Sequence, residues 1–163
     1  MIIGYGILIL QGSRPDKYIP ITGWISIFKV STMWNCYELR AVAIKKINFK
    51  IQKNPPTTKL DPIKLVSLGR EYFVDSWVLR GFETLVNREK RMSETDAHAI
   101  GMLETFRIMS LREERYRRKA SSGSDSEDSD SLILSGDVQT AFQTELESIA
   151  EKAEAFHRSP ECD

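Results

Sequence analysis

The stretch Asp61-Pro-Ile-Lys-Leu-Val-Ser-Leu-Gly-Arg-Glu-Tyr-Phe-Val-Asp-Ser-Trp-Val-Leu-Arg-Gly-Phe-Glu-Thr-Leu-Val86 decides the fold. Asp61 is a capping carboxylate, and Pro62 follows in the first turn, where a helix needs no N–H. Ile63, Leu65, Val66 and Tyr72 supply the buried side of a helix through Arg70 or Tyr72. Asp75 can cap a second helix, in which Trp77, Val78, Phe82, Leu85 and Val86 face inward at helical spacing. Two apolar helices thus follow one another here, and the flanking sequence continues the helical pattern in both directions.

Downstream, Asn87-Arg-Glu-Lys-Arg91 reads as a turn, and Ser93 with Asp96 three residues on has the form of a capping box. A helical pattern then runs to about Lys119, interrupted at Gly101, with Ile100, Leu103, Phe106 and Met109 expected on its apolar side. Upstream, Thr22 is the expected N-cap of a helix carrying Trp24, Ile27, Phe28 and Ser31. A further helix fits Tyr37–Ile47, and Asn48–Lys59, with Asn54-Pro-Pro-Thr-Thr58, reads as a linker. Residues 21–119 are therefore expected to form one helical domain of five to seven helices.

Residues 1–20 are expected to be irregular, with Ile7–Leu10 as a short buried strand. The apolar start is too short for a transmembrane helix, and it lacks a signal peptide's basic region and cleavage site. At the other end, Ser121-Ser-Gly-Ser-Asp-Ser-Glu-Asp-Ser-Asp-Ser131 cannot bury enough apolar surface to order itself, so residues 120–136 are expected to be a disordered acidic linker. After it, Val138, Phe142, Leu146, Ile149, Ala153 and Phe156 form one apolar stripe on an amphipathic helix expected over 137–157. That helix can cover the domain's apolar groove in cis or bind a partner in trans. Residues 158–163 are read as a tail. The fold class is mainly α.

The chain has 163 residues with 23 Lys+Arg and 23 Asp+Glu, so its formal net charge is zero. The zero conceals a gradient: residues 1–60 hold 9 basic and 2 acidic side chains, whereas 121–163 hold 2 and 11. A basic body with an acidic tail offers two surfaces of opposite sign, so non-specific nucleic-acid binding is not the default reading. Two cysteines, Cys36 and Cys162, cannot build a disulfide framework and fit a reducing compartment, cytoplasmic or nuclear. Cys36 reads as a buried structural thiol.

Several blocks also resemble a known family. Ile21-Thr-Gly-Trp-Ile-Ser-Ile-Phe-Lys-Val-Ser-Thr-Met-Trp34 is similar to the "EW…VLKLSTMW" helix of the BTB/POZ-domain proteins of mushroom-forming fungi. Tyr37–Ile47 resembles its "IRELAIRKL" helix, and Leu60–Val78 its "LDPIEKIVLGRKYGVEEWL" block. Phe82–Arg88, Met92–Ala97, Ile100–Thr105 and Leu111–Glu113 follow in the same order. The likeness covers about residues 21–119, the C-terminal part of the BTB fold and its helical extension; the family's N-terminal half has no counterpart here. Phe73 stands where the family has a small turn residue, and Arg91 where it has proline. The resemblance implies a non-enzymatic adaptor or scaffold. Its expected partners are proteins, by self-association or through a cullin-type ubiquitin ligase. A transcription-linked regulator using a basic surface on nucleic acid, and a gene-model fragment without independent function, are the competing readings.

No catalytic, cofactor or metal residues are assigned. Two histidines, His98 and His157, are too few for a His/Cys metal cage, and no phosphate-loop or nucleophile-elbow sequence occurs. His98 reads as part of a solvated helix face. Trp24, Phe28, Trp34, Trp77, Phe82, Leu103 and Phe106 are assigned to the core. Ser122 and Ser124 each stand three residues before an acid, which makes them candidate phosphorylation sites. Leu132-Ile133-Leu134, an apolar run flanked by acids, resembles a SUMO-interacting motif that would add as a strand to a basic groove. Arg112–Lys119 is a mixed-charge helix end, whose functional alternative is a nuclear-import patch.

Overall fold

The computed structural model describes residues 19–53, 60–121 and 135–157. It holds eight helices and no strand among those residues: α1 (Ile21–Met33), α2 (Tyr37–Lys53), α3 (Pro62–Glu71), α4 (Asp75–Asn87), α5 (Glu94–Ile100), α6 (Met102–Ser121), α7 (Ser135–Ala141) and α8 (Gln143–His157). The mainly α fold expected from the pattern is what the chain adopts, with six helices over 21–121. The strand expected at Ile7–Leu10 and the acidic linker's core lie outside the described residues. The chain forms two compact units, Met1–Lys59 and Leu60–Asp163, where one domain over 21–119 was expected.

In the first unit α1 and α2 form an antiparallel hairpin. Trp24, Ile25, Phe28 and Ser31 are buried on α1, and Arg40, Ala43 and Ile47 on α2. Pro20 occupies the N-cap position, so Thr22 lies inside the first turn instead of capping it. The helix ends as a left-handed C-terminal motif: Asn35 has φ 53°, and the Cys36 N–H reaches back to the Ser31 carbonyl at 2.8 Å. Asparagine tolerates that conformation better than most side chains. The motif turns the chain at Trp34, leaving the indole 69% exposed, so its assignment to the core is corrected. Cys36 is likewise exposed, not a buried thiol. α2 continues through Lys53, six residues past its expected end at Ile47, into what the composition marked as linker.

In the second unit α4 is the axis, packed against α3, α6, α7 and α8. Its six buried residues include Trp77, Val78, Phe82, Leu85 and Val86, which together make one broad buried face. The sixth, Gly81, explains how α3 comes so close. A Cβ built on Gly81 would stand 2.4 Å from a Val66 methyl, and one on Gly69 would stand 2.6 Å from a Val78 methyl. Each helix thus seats a valine on the other's glycine. The link between α3 and α4 holds Phe73 at φ 56°, with the Val74 N–H bonded to the Gly69 carbonyl at 2.8 Å. A bulky residue in the left-handed region is strained.

The helix expected over 137–157 is two helices meeting at Phe142. Val138 and Phe142 are fully buried and Ile149 nearly so, in one cluster with Val66, Val78, Phe82 and Ile108. The Phe142 ring lies on Phe82 with centroids 4.0 Å apart and planes 19° from parallel. The two helices therefore cover α4 in cis. α6 reaches Ser121 and α7 starts at Ser135, so the ends of the presumed linker are helical.

Candidate interaction surface

Arginines fix which side of α6 faces the core. Arg112 is 9% exposed; its Nε donates to the Leu85 carbonyl at 3.0 Å, and its Nη2 donates to the carbonyls of Arg88 and, at 2.8 Å, Lys90. Arg115 Nη1 donates to the Asn87 carbonyl at 2.9 Å. The last turn of a helix leaves carbonyls without intrahelical partners. Here two side chains of α6 satisfy those at the end of α4 and in the turn after it. Burial lowers the Arg112 pKa, and nearby Arg88 adds to the effect. Ile108, fully buried, completes the inward stripe with half-buried Leu111 and Thr105.

A second set of polar contacts holds the turn before α6. Ser93 and Asp96 form the expected capping box, and Asp96 also binds Arg88 at 2.6 Å. Desolvation pushes the Asp96 pKa up, but hydrogen bonds from Arg88 and from Ser93 outweigh it and hold the carboxyl below its ordinary value. Arg70 ties α3 to two further elements. Its Nε meets Glu145 of α8 at 2.6 Å, its Nη1 donates to the Ile100 carbonyl at 2.5 Å, and its guanidinium lies over the Phe82 ring.

With that inward side fixed, the other side of α6 is left outward. Met102, Leu103, Phe106, Met109 and Tyr116 are between 52% and 75% exposed. Leu103 and Phe106 are therefore not core residues, and Met109 does not lie on a buried side. The cause is Gly101, with φ 113°, where α5 ends and α6 begins with a new phase. Ile100 closes α5, so carrying its period onward through 103, 106 and 109 selects the outer face. Trp24, Phe28, Trp77 and Phe82 are all buried, at 0–1% exposure.

Beside the outer stripe runs a groove of about 740 Å³ between α6 and the turn at 89–92. Met92, Phe106, Met109 and Tyr116 form its apolar lining, and Glu89, Arg91 and Glu113 its charged edges. Glu113 and Glu114 pair with Arg117, and Glu114 also with Arg118, in exposed ion pairs at 3.1–3.4 Å. Arg118 further reaches Asp137 of α7 at 3.0 Å. The mixed-charge run thus divides by face: Arg112 and Arg115 anchor inward, while Arg117 and Arg118 pair at the surface.

His98 is on a solvated helix face, its side chain 74% exposed and 3.8 Å from Glu94. Among the described residues, no three His, Cys, Asp or Glu side chains are grouped to hold a metal ion. No described helix is long and apolar enough to cross a membrane. Ser122, Ser124 and the Leu132-Ile133-Leu134 run lie outside the described residues. No family model, curated protein or solved structure matches the chain.

Proposed function

We propose that this chain is a non-enzymatic protein–protein interaction module, an adaptor or scaffold similar to the C-terminal part of fungal BTB/POZ proteins. One observation carries the reading: a row of exposed apolar side chains on α6, Met102 to Met109 and, past Glu113, Tyr116, bordered by a groove, on a helical unit whose other large apolar side chains are mostly packed inside. Contiguous exposed apolar surface of this kind marks interaction sites in soluble proteins. An aromatic and two methionines at its centre suit a contact core, where such residues are enriched. The resemblance adds the expected partner class, including cullin-type ligases, and the acidic serine-rich segment with Ser122 and Ser124 supplies a place where phosphorylation could tune binding.

Affinity capture with the full chain and with Phe106→Glu as parallel baits tests this. Discrete partners on the first bait, lost on the second, support the module. Chaperones alone on both would sink it. Salt-sensitive retention of nucleic acid, equal on both baits, would favour the regulator reading instead.

A further inference from the structure

We infer that the groove which α7 and α8 fill on α3, α4 and α6 is a docking site for an acidic amphipathic helix of a partner protein. α7 and α8 are its resident occupant, exchangeable for that helix. This surface is separate from the outer face of α6 and stands whether or not that face binds a partner. The resident shows what the groove accepts. Phe142 lies between the Phe82 ring, with centroids 4.0 Å apart, and the Arg107 guanidinium, 6.0 Å from the Phe142 centroid. Val138, four residues before it, and Ile149, seven after, are also buried, and Leu146 packs partly buried beside them. The Phe142 N–H donates to the Val138 carbonyl and the Leu146 N–H to the Phe142 carbonyl, both at 3.1 Å. The helical repeat thus passes through the junction, and all four side chains share one face.

Charge selects the sign of the occupant. Glu145 meets Arg70 of α3 at 2.6 Å, and Asp137 meets Arg118 of α6 at 3.0 Å. The resident carries Asp137, Glu145, Glu147, Glu151 and Glu154 against Lys152 alone. A helix with lysines at 137 and 145 would set cation against cation in both places. Exchange follows from how the rest of the unit is held. Arg112 and Arg115 fix α6 to carbonyls of α4 and the next turn, and the Gly69 and Gly81 contacts interlock α3 with α4. None of these bonds involves α7 or α8. The resident's own hold is slighter: Val138, Phe142 and Ile149 are its buried side chains over 136–156, and none follows Ile149. The Glu145 Oε2 is also buried with no hydrogen-bond partner. A buried acceptor without a donor weakens the seat, so a helix that leaves none unpaired competes for it.

The test uses the full chain, intact or cut once at a protease site placed between Ser121 and Ser135, with a fluorescent peptide of residues 135–157 as probe. The probe should bind the cut chain and bind the intact chain at least about tenfold more weakly, because the intact chain's own segment competes at its tethered concentration. Phe142→Ala in the probe should weaken binding by at least about tenfold. A helical peptide of otherwise unrelated sequence, with Val, Phe, Leu and Ile at the spacing of 138, 142, 146 and 149 and acids at 137 and 145, should displace the probe. Its version with lysines at those two positions should not. The cut chain should keep a cooperative thermal melt after gel filtration has removed residues 135–157. Unfolding of the cut chain as those residues leave overturns exchange. So does a probe that fails to enter, that ignores Phe142→Ala, or that binds intact and cut chain equally. Equal displacement by the lysine version overturns the acidic partner.

Discussion

Arg112 shows how one side chain can orient a helix. Its guanidinium satisfies carbonyls at the end of α4 and in the following turn, so truncation strands several buried acceptors together. Each such orphan costs about 1–3 kcal/mol. We expect Arg112→Met to lower stability by about 2–4 kcal/mol, read as a shift in urea midpoint, and Arg112→Lys to recover little, because an ammonium lacks the planar fork. A loss below about 0.5 kcal/mol would mean that these bonds do not set the orientation of α6. Asp96 gives a pH signature. Its carboxyl is held below the ordinary 3.8, so the unfolded chain takes up this proton more readily than the folded one. Its contribution is complete above that value and is lost as pH falls through the lower, folded value. Asp96→Asn should therefore be less stable than wild type at pH 7, with the gap closing on acidification toward pH 3. A gap independent of pH would contradict the assignment.

Elements meet here through small residues and stacked rings. Gly69 and Gly81 let α3 and α4 approach until a valine of each touches the other's backbone. Gly81→Ala should cost about 1–3 kcal/mol despite the better helix propensity of alanine, since the added methyl would overpack the contact. A melt unchanged or raised would show that the two helices can separate without loss. At the other side of α4, Phe142 seals the core by stacking on Phe82. Phe142→Ala should cost about 3–5 kcal/mol and expose α4 to hydrogen exchange along its Phe82 side. Uniform protection of α4 in that variant would mean that α7 and α8 are not part of the same core. Much of this level was legible. The pattern of 61–86, the capping box at Ser93 and Asp96, and the apolar stripe from Val138 to Phe156 each point to helices that form. The phase of α6 was hidden for two reasons. A glycine broke the period that Ile100 began, and its inward positions 112 and 115 carry arginines, which pattern reading assigns to water. The spacing from Ile108 to Arg112 is the one signal that could have found them. Trp34 was misplaced for a similar reason: the residue that ends α1 is the asparagine after it, not a proline or glycine that pattern reading would mark as a stop.

At the scale of the molecule, the two units divide where the sequence places its Pro-Pro stretch, and each has its own buried residues. The second unit spends its polar contacts on holding α6, and the consequence is the apolar face that α6 turns outward. The account's central claim is that this face is open in the isolated chain and covered when the chain works. Mild peroxide oxidation read by peptide mass tests it directly, because Met102 and Met109 lie on the face, while Met33, 69% exposed in the other unit, serves as control. We predict that Met102 and Met109 oxidise as readily as Met33 in dilute isolated chain. Protection of Met102 and Met109 at dilutions where Met33 oxidises would contradict it.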